Sequence, residues 1–162
     1  MIRKHNKFSW PRKLYDKTRI EDENKLVEQY GLKNKREIWK AEAKVKYFRN
    51  RAKLLINADL SDQQQFFAKL SALGLSVRSI AEVLALNKED VLKRRLSTVV
   101  WKRGLAQTAL HARQLITHKK IIVDDRVVDV PSYIVPVVLE QNISLKQRAS
   151  SLKKSESVEI AA

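Results

Sequence analysis

The stretch Arg94–Val135, RRLSTVVWKRGLAQTALHARQLITHKKIIVDDRVVDVPSYIV, decides the fold. A helix opening near Asn87 predicts an apolar stripe through Leu92, Leu96, Val99 and Val100, at helical spacing. Arg94, Arg95, Thr98, Lys102 and Arg103 fall off that stripe, and Gly104 supplies the left-handed position that ends the helix. Trp101 is either a stacking platform or the edge of the core, with the core edge favoured. Thr108 caps a second helix, whose Ala109, Ala112, Leu115 and Ile116 face inward, the two alanines permitting close packing. His111, Arg113, Gln114, His118 and Lys119 stay outside, so truncating His111 and Arg113 is expected to leave stability nearly unchanged. Strands Ile121–Val123 and Arg126–Val130 flank a tight turn at Asp124-Asp125, Pro131 ends the second or sits on an edge, and a third strand is expected at Tyr133–Val138.

The formal charge of +15 on 162 residues demands a polyanion to relieve self-repulsion. Nucleic acid is the fitting one, because no apolar run approaches the ~20 residues that span a bilayer. The first residues, MIRKHNKFSWPRKLYDK, lack the apolar core of a secretory signal. The chain has no cysteine, which removes thiolate metal sites and agrees with a reducing cytoplasm. His111 and His118 stand seven apart, about 10 Å along a helix, where shared metal ligation wants four. The glycines at 31, 74 and 104 are isolated, so no phosphate-cradling loop forms, and a hairpin turn accounts for Asp124 and Asp125. No cofactor, small-molecule substrate or enzymatic activity is expected.

Upstream, residues 1–17 read as a basic extended arm carrying Arg3, Lys4, His5, Lys7, Arg12, Lys13 and Lys17 among Phe8, Trp10 and Tyr15. The competing reading docks Trp10 on its own domain. A helix is predicted from Thr18 to Tyr30, with Glu21, Asp22 and Glu23 near its positive end and Gly31 as its stop. A longer one, about Lys35 to Ile56, buries Ile38, Ala41, Val45, Phe48, Ala52 and Leu55 on one stripe. Around the rest lie Arg36, Lys40, Lys44, Lys46, Arg49, Arg51 and Lys53, interrupted only by Glu37 and Glu42. A merely solvated helix would interleave acids to gain ~0.2–0.5 kcal/mol per pair, so their shortage points to phosphate.

Ser61 or Asp62 can cap a helix through Phe66, Phe67 and Leu70. The following GLSVRSIAEVLALNKEDVLKRRL resembles a helix-turn-helix, the basis of a rival reading as a DNA-binding regulator. Its second helix would open with Lys88, Glu89 and Asp90, setting two carboxylates against phosphates. They fit better as dipole partners behind an Asn87 cap.

In order and spacing, RRL (94–96), KRGLAQT (102–108), HARQLI (111–116), the H-x-x-I-x-V run 118–123 and VDVPSY (128–133) resemble the S-four RNA-binding domain, or αL motif. YGLKNKREIWKAEAKVKYFRNRAKLL (30–55) and LALNKEDVLKRRLSTVVWKRGLA (84–106) look like the helical region of the archaeal and eukaryotic S-four family of small-subunit ribosomal proteins. The resemblance covers most of residues 18–138. It implies a primary binder of small-subunit ribosomal RNA at a multi-helix junction in the body, near where mRNA enters, with neighbouring ribosomal proteins as further partners. It carries RNA-facing roles to Arg94, Arg95, Arg103, Thr108, His111, Arg113, Gln114 and His118. Charge adds Arg12, Lys33, Lys35, Arg36, Lys40, Lys44, Arg49, Arg51, Lys102 and Lys119.

Two departures stand out: the hairpin reads Val123-Asp124-Asp125 where the family often has Val-Asn-Gly, and the zinc-binding cysteines of some bacterial members are absent. S-four domains also serve as accessories in pseudouridine synthases and tRNA synthetases, which need a catalytic domain, and in small ribosome-rescue or biogenesis factors. The upstream match favours the ribosomal reading. The expected fold is α+β: a helical region at 18–92, then an S-four domain at 93–148 with two helices on a small antiparallel sheet. A disordered tail is expected at 149–162.

Overall fold

A computed structural model describes residues 7–146. The elements are α1 (Lys17–Tyr30), α2 (Arg36–Leu54), α3 (Leu60–Ala72), α4 (Ile80–Ala85), α5 (Lys88–Lys93), α6 (Leu96–Lys102), α7 (Ala109–Thr117), β1 (Ile121–Val123), β2 (Arg126–Val127), α8 (Val137–Glu140) and β3 (Ile143–Leu145). The class is α+β, mainly helical with one antiparallel sheet in the order β2-β1-β3. The expected tail at 149–162, and Arg3, Lys4 and His5 of the arm, lie outside the described residues.

The long helices follow their periodicity. All six apolar residues of the α2 stripe are buried, against Leu26 and Tyr30 of α1 and Val83, Val91 and Leu92 of α4 and α5. A second core gathers Leu96, Val99, Val100, Ala112, Ile116, Ile121, Val123, Val135 and Ile143, with Trp101 packed at its edge. Thr108 caps α7 by accepting from the His111 N–H, and Asn87 and Asp90 form a reciprocal capping box on α5. Gly31 ends α1 at φ +59°, and a Cβ there would lie 2.8 Å from backbone atoms of Ala109 and Leu110. Only glycine lets α1 stop this close to the start of α7.

Several expectations are corrected. The helix predicted to run from Asn87 through Val100 is two helices, broken at Arg94 and Arg95, where Arg95 is extended (φ −70°, ψ 144°). The break frees backbone groups that the next segment takes up: Leu96 N–H donates to Tyr133 O, Ser97 N–H to Pro131 O, and Val135 N–H to Arg94 O. That segment was expected to be a third strand at Tyr133–Val138. It makes only a bridge, Ile134 to Arg95, then turns into α8 behind Pro136, and the third strand is β3, paired to β1. The second strand stops at Val127.

Helix α6 sits between the two cores, so Ser97 and Thr98 are buried along with the apolar stripe, and Thr98 donates to Leu92 O at 2.9 Å. The hairpin turn at Asp124 (φ 50°) and Asp125 (φ 61°) is left-handed at both residues, as a two-residue turn requires. Asp59, not Ser61 or Asp62, stands at the N-cap of α3. The first turn of α1 holds no acid; Glu23 is instead buried, binding Arg19 and the Trp39 indole N–H.

Candidate RNA interface

The predicted cations divide by what holds them. Short helices leave many carbonyls without an intrahelical donor, and arginine forks reach several of these. Arg94 donates through Nε to Leu73 O, the C-cap of α3, and through one terminal nitrogen to Val135 O and the Glu140 carboxylate, each at 3.0 Å. Its guanidinium lies over Gly74, where a Cβ would come within 2.5 Å of it. Arg49 donates to Leu86 O, the C-cap of α4, at 2.6 Å. Arg103 donates to Gln141 O, the C-cap of α8, and to Ile143 O.

Arg95 and Arg113 meet at one acid. Glu37, on the first turn of α2, receives the Arg95 guanidinium and a two-pronged pair from Arg113, at 2.9 and 3.2 Å. Arg95 is 5% exposed. Burial pushes the Glu37 carboxyl upward, but the Arg113 hydrogen bond and the charges of Arg95 and Arg113 outweigh it and hold the group below its ordinary range. The expectation that Arg94, Arg95 and Arg113 present free guanidiniums is therefore corrected. All three join the helical region to the second core, and Arg113 is not the loose surface residue its spacing implies.

Other predicted side chains remain outward. Arg12, Lys33, Lys40, Arg51, Lys102, Gln114, His118 and Lys119 are exposed. Among the described residues Lys33, Lys40, Arg51, Lys102 and Lys119 have no ion-pair partner. Lys46 and Lys53 are also exposed, on the other flank of α2. Lys35 lies 3.8 Å from Glu23. Lys44 is partly buried, and that burial, with Lys7 nearby, lowers its pKa. Thr108 is occupied by its cap, and His111 accepts from the Gln107 N–H at Nδ1.

The described part of the arm is not extended. Phe8 and Trp10 pack with Trp39 at ring distances of 5.2–5.8 Å, Arg36 stands 5.3 Å over the Trp10 ring, and Arg19 binds the Lys13 and Leu14 carbonyls. The competing reading, Trp10 docked on its own domain, describes residues 7–16. Helix α5 buries Val91 and Leu92 on α2, and Asp90 serves the cap behind Asn87, as expected, while Glu89 stays exposed in its first turn.

Sequence reasoning missed Glu37, Glu23, Trp39 and Glu140. For Glu37 a signal existed: it lies four residues before Ala41 and eleven before Phe48, on the flank of the buried stripe. A carboxylate there needs a cation from another element.

A cleft between the α3–α4 loop, α5, α6 and α8 is lined by Glu82, Asp90 and Glu140 as well as Lys93, Arg94 and Lys102, a mixture of signs that does not favour phosphate. No cluster of metal-ligating side chains occurs among the described residues, and no helix among them is long and apolar enough to cross a membrane.

Residues 94–137 match the S4 domain family model. Among curated proteins, the chain is 43% identical to small ribosomal subunit protein uS4 of Picrophilus torridus, over 87% of this chain and 82% of the relative. It is 37% identical to the protein of that name from Methanosphaera stadtmanae, covering 92% and 89%, and 38% to that of Methanothermobacter thermautotrophicus, covering 96% and 94%. These relatives are named as ribosomal constituents, not as enzymes. With an S4 domain in its second core and such identity across nearly its whole length, the chain belongs to the uS4 family of small ribosomal subunit proteins.

Proposed function

We propose that the chain is a structural constituent of the small ribosomal subunit that binds small-subunit ribosomal RNA directly. The observation that carries this is the set of exposed cations on both flanks of α2 and beside it, Lys33, Lys40, Lys46, Arg51 and Lys53, with no ion-pair partner among the described residues. Unpaired like charges on one helix repel one another, and phosphates relieve that repulsion. Arg12, Lys35, Arg36, Lys44 and Arg49 flank this set. Lys102, Arg103, Thr108, His111, Gln114, His118 and Lys119 form the contribution of the S4 domain.

In this reading the units are an arm at 1–17, a helical region at 18–92 and the S4 domain at 93–148. Arg94, Arg95 and Arg113 hold the last two at a fixed angle, so that both surfaces meet one folded RNA. Two rigid surfaces suit a multi-helix junction in the body of the subunit, near where mRNA enters. A rigid protein of this kind can seat early and act as a primary assembly protein in the cytoplasm, beside other ribosomal proteins.

The test is binding of the full chain to a small-subunit rRNA junction fragment, against equal lengths of duplex DNA and tRNA. Preference for the junction is expected, with log affinity falling against log salt by roughly 0.7 to 0.9 per phosphate contact. Equal affinity for all three at moderate salt overturns the reading.

A further inference from the structure

One face of α2 joins an exposed aromatic ring to its cations. Steps of four, four, three and four residues lead from Arg36 through Lys40, Lys44 and Tyr47 to Arg51. That spacing sets all five on one side of the helix, over about 22 Å of its length. Neither acid of α2 neutralises this face. Glu37 is taken by Arg95 and Arg113, and Glu42 stands at no three-, four- or seven-residue spacing from any of the five. Among the described residues the four cations have no ion-pair partner. Lys7 of the arm brings a further positive charge beside Lys44.

Tyr47 stands among these charges with 64% of its surface exposed, whereas Phe48, next to it, is buried in the core. The two rings lie 5.9 Å apart at 58°, tilted and not stacked. Other aromatic side chains are placed differently. Trp10 is packed with Phe8 and Trp39, Tyr15 stands beside Asp16 in the arm, and Trp101 is packed at the edge of the second core.

We propose that Tyr47 is a stacking platform for an unpaired RNA base, whose flanking phosphates are held by the lysines and arginines of the same face. An exposed ring among uncompensated cations fits a ligand that carries both negative charge and a π-face, and a nucleotide has both. Bases inside a duplex are already stacked on their neighbours, so the ring is matched to a base in a loop, bulge or junction. Tyrosine has few side-chain torsions to fix, and its backbone is held in a long helix, so ordering costs little. The inference rests on the RNA-binding reading above and deepens it: contacts that count phosphates gain a preference for unpaired nucleotides.

The test titrates the full chain, and its Tyr47→Leu and Tyr47→Phe variants, with three RNAs. Two are RNA duplexes of equal phosphate count, one perfectly paired and one with bulged nucleotides; the third is the small-subunit rRNA junction fragment. Tyr47→Leu should bind the bulged duplex and the junction about tenfold more weakly and the perfect duplex unchanged. Its salt slope should match that of the wild type, because no cation is lost. Its melting temperature should hold, because the ring is exposed. Tyr47→Phe, which keeps the ring, should bind as the wild type does.

An equal loss on the perfect duplex overturns the platform, as does a loss in Tyr47→Phe as large as in Tyr47→Leu. So does undiminished binding of Tyr47→Leu to both unpaired RNAs, or a defect that shows only in association with another protein. Failure of the wild-type chain to prefer the junction over tRNA and duplex DNA counts against the ribosomal reading. A Tyr47-dependent preference for the bulged duplex stands in that case.

Discussion

Along α2 the lysines and arginines mostly stand in solvent, whereas the four arginines from Arg94 to Arg113 are all bound to the protein's own oxygens. Both regions read as basic, and both belong to a family of RNA-associated proteins. The difference comes from what each cation faces. Helix α2 buries one stripe and leaves the opposite face to solvent. Arg94 instead meets the C-cap carbonyl of α3, Val135 O and Glu140, and Arg95 and Arg113 share the Glu37 carboxylate. Arginine, with five donors in a rigid fork, is suited to such converging acceptors. Basic composition therefore marks an RNA surface only where the backbone and the acids make no prior demand.

The sharpest way to break this contrast is Glu37→Ala. It leaves Arg95 buried without its carboxylate and removes the joint between α2 and the S4 domain. Loss of about 3 kcal/mol is expected, measured by urea unfolding, together with weaker junction-RNA binding. An unchanged midpoint would mean that the two regions are held by their apolar contacts alone.

Arg113→Ala should cost less, about 1.5 kcal/mol, because Arg95 still neutralises Glu37. His111→Ala, two positions away and on another side of α7, should shift the melting temperature little. Equal and negligible effects of the two would restore the view that both are free surface residues. A smaller effect is expected from pH. The folded Glu37 carboxyl lies below its ordinary value of 4.5. Its contribution is thus complete above that pH and is lost as pH falls through the folded value. The Glu37→Gln variant should flatten this part of the acid limb in a pH series of thermal melts. If the wild-type and variant curves stay parallel, the ion cluster is not what acid breaks.

Least of all should Lys40→Ala alter stability, since its side chain is exposed and has no ion-pair partner among the described residues. It should instead reduce the salt slope of RNA binding by about 0.7 to 0.9. An unchanged slope would remove Lys40 from the interface and weaken the case for the whole α2 set.

Legibility followed the same division. The α2 stripe, the Thr108 cap, the Asn87 cap, the β1–β2 turn and the edge position of Trp101 were readable because each depends on residues within a few positions of one another. The break at Arg94-Arg95 was not, since a continuous apolar stripe runs through it. What breaks the helix is the segment Pro131–Val135, which takes the freed backbone bonds from almost forty residues away. The third strand was misplaced for a related reason: Tyr133–Val138 has β-branched composition, but its partner is a kinked backbone rather than a strand edge.

The sequence by itself determined the fold class, the family, the long helices and the positive charge, because periodicity, motif order and composition are local or additive. Only the tertiary structure decided which cations are available. Glu37, Arg95 and Arg113 are separated by up to seventy-six positions, and whether a guanidinium meets a phosphate or an internal carboxylate depends on what the fold brings within hydrogen-bond reach.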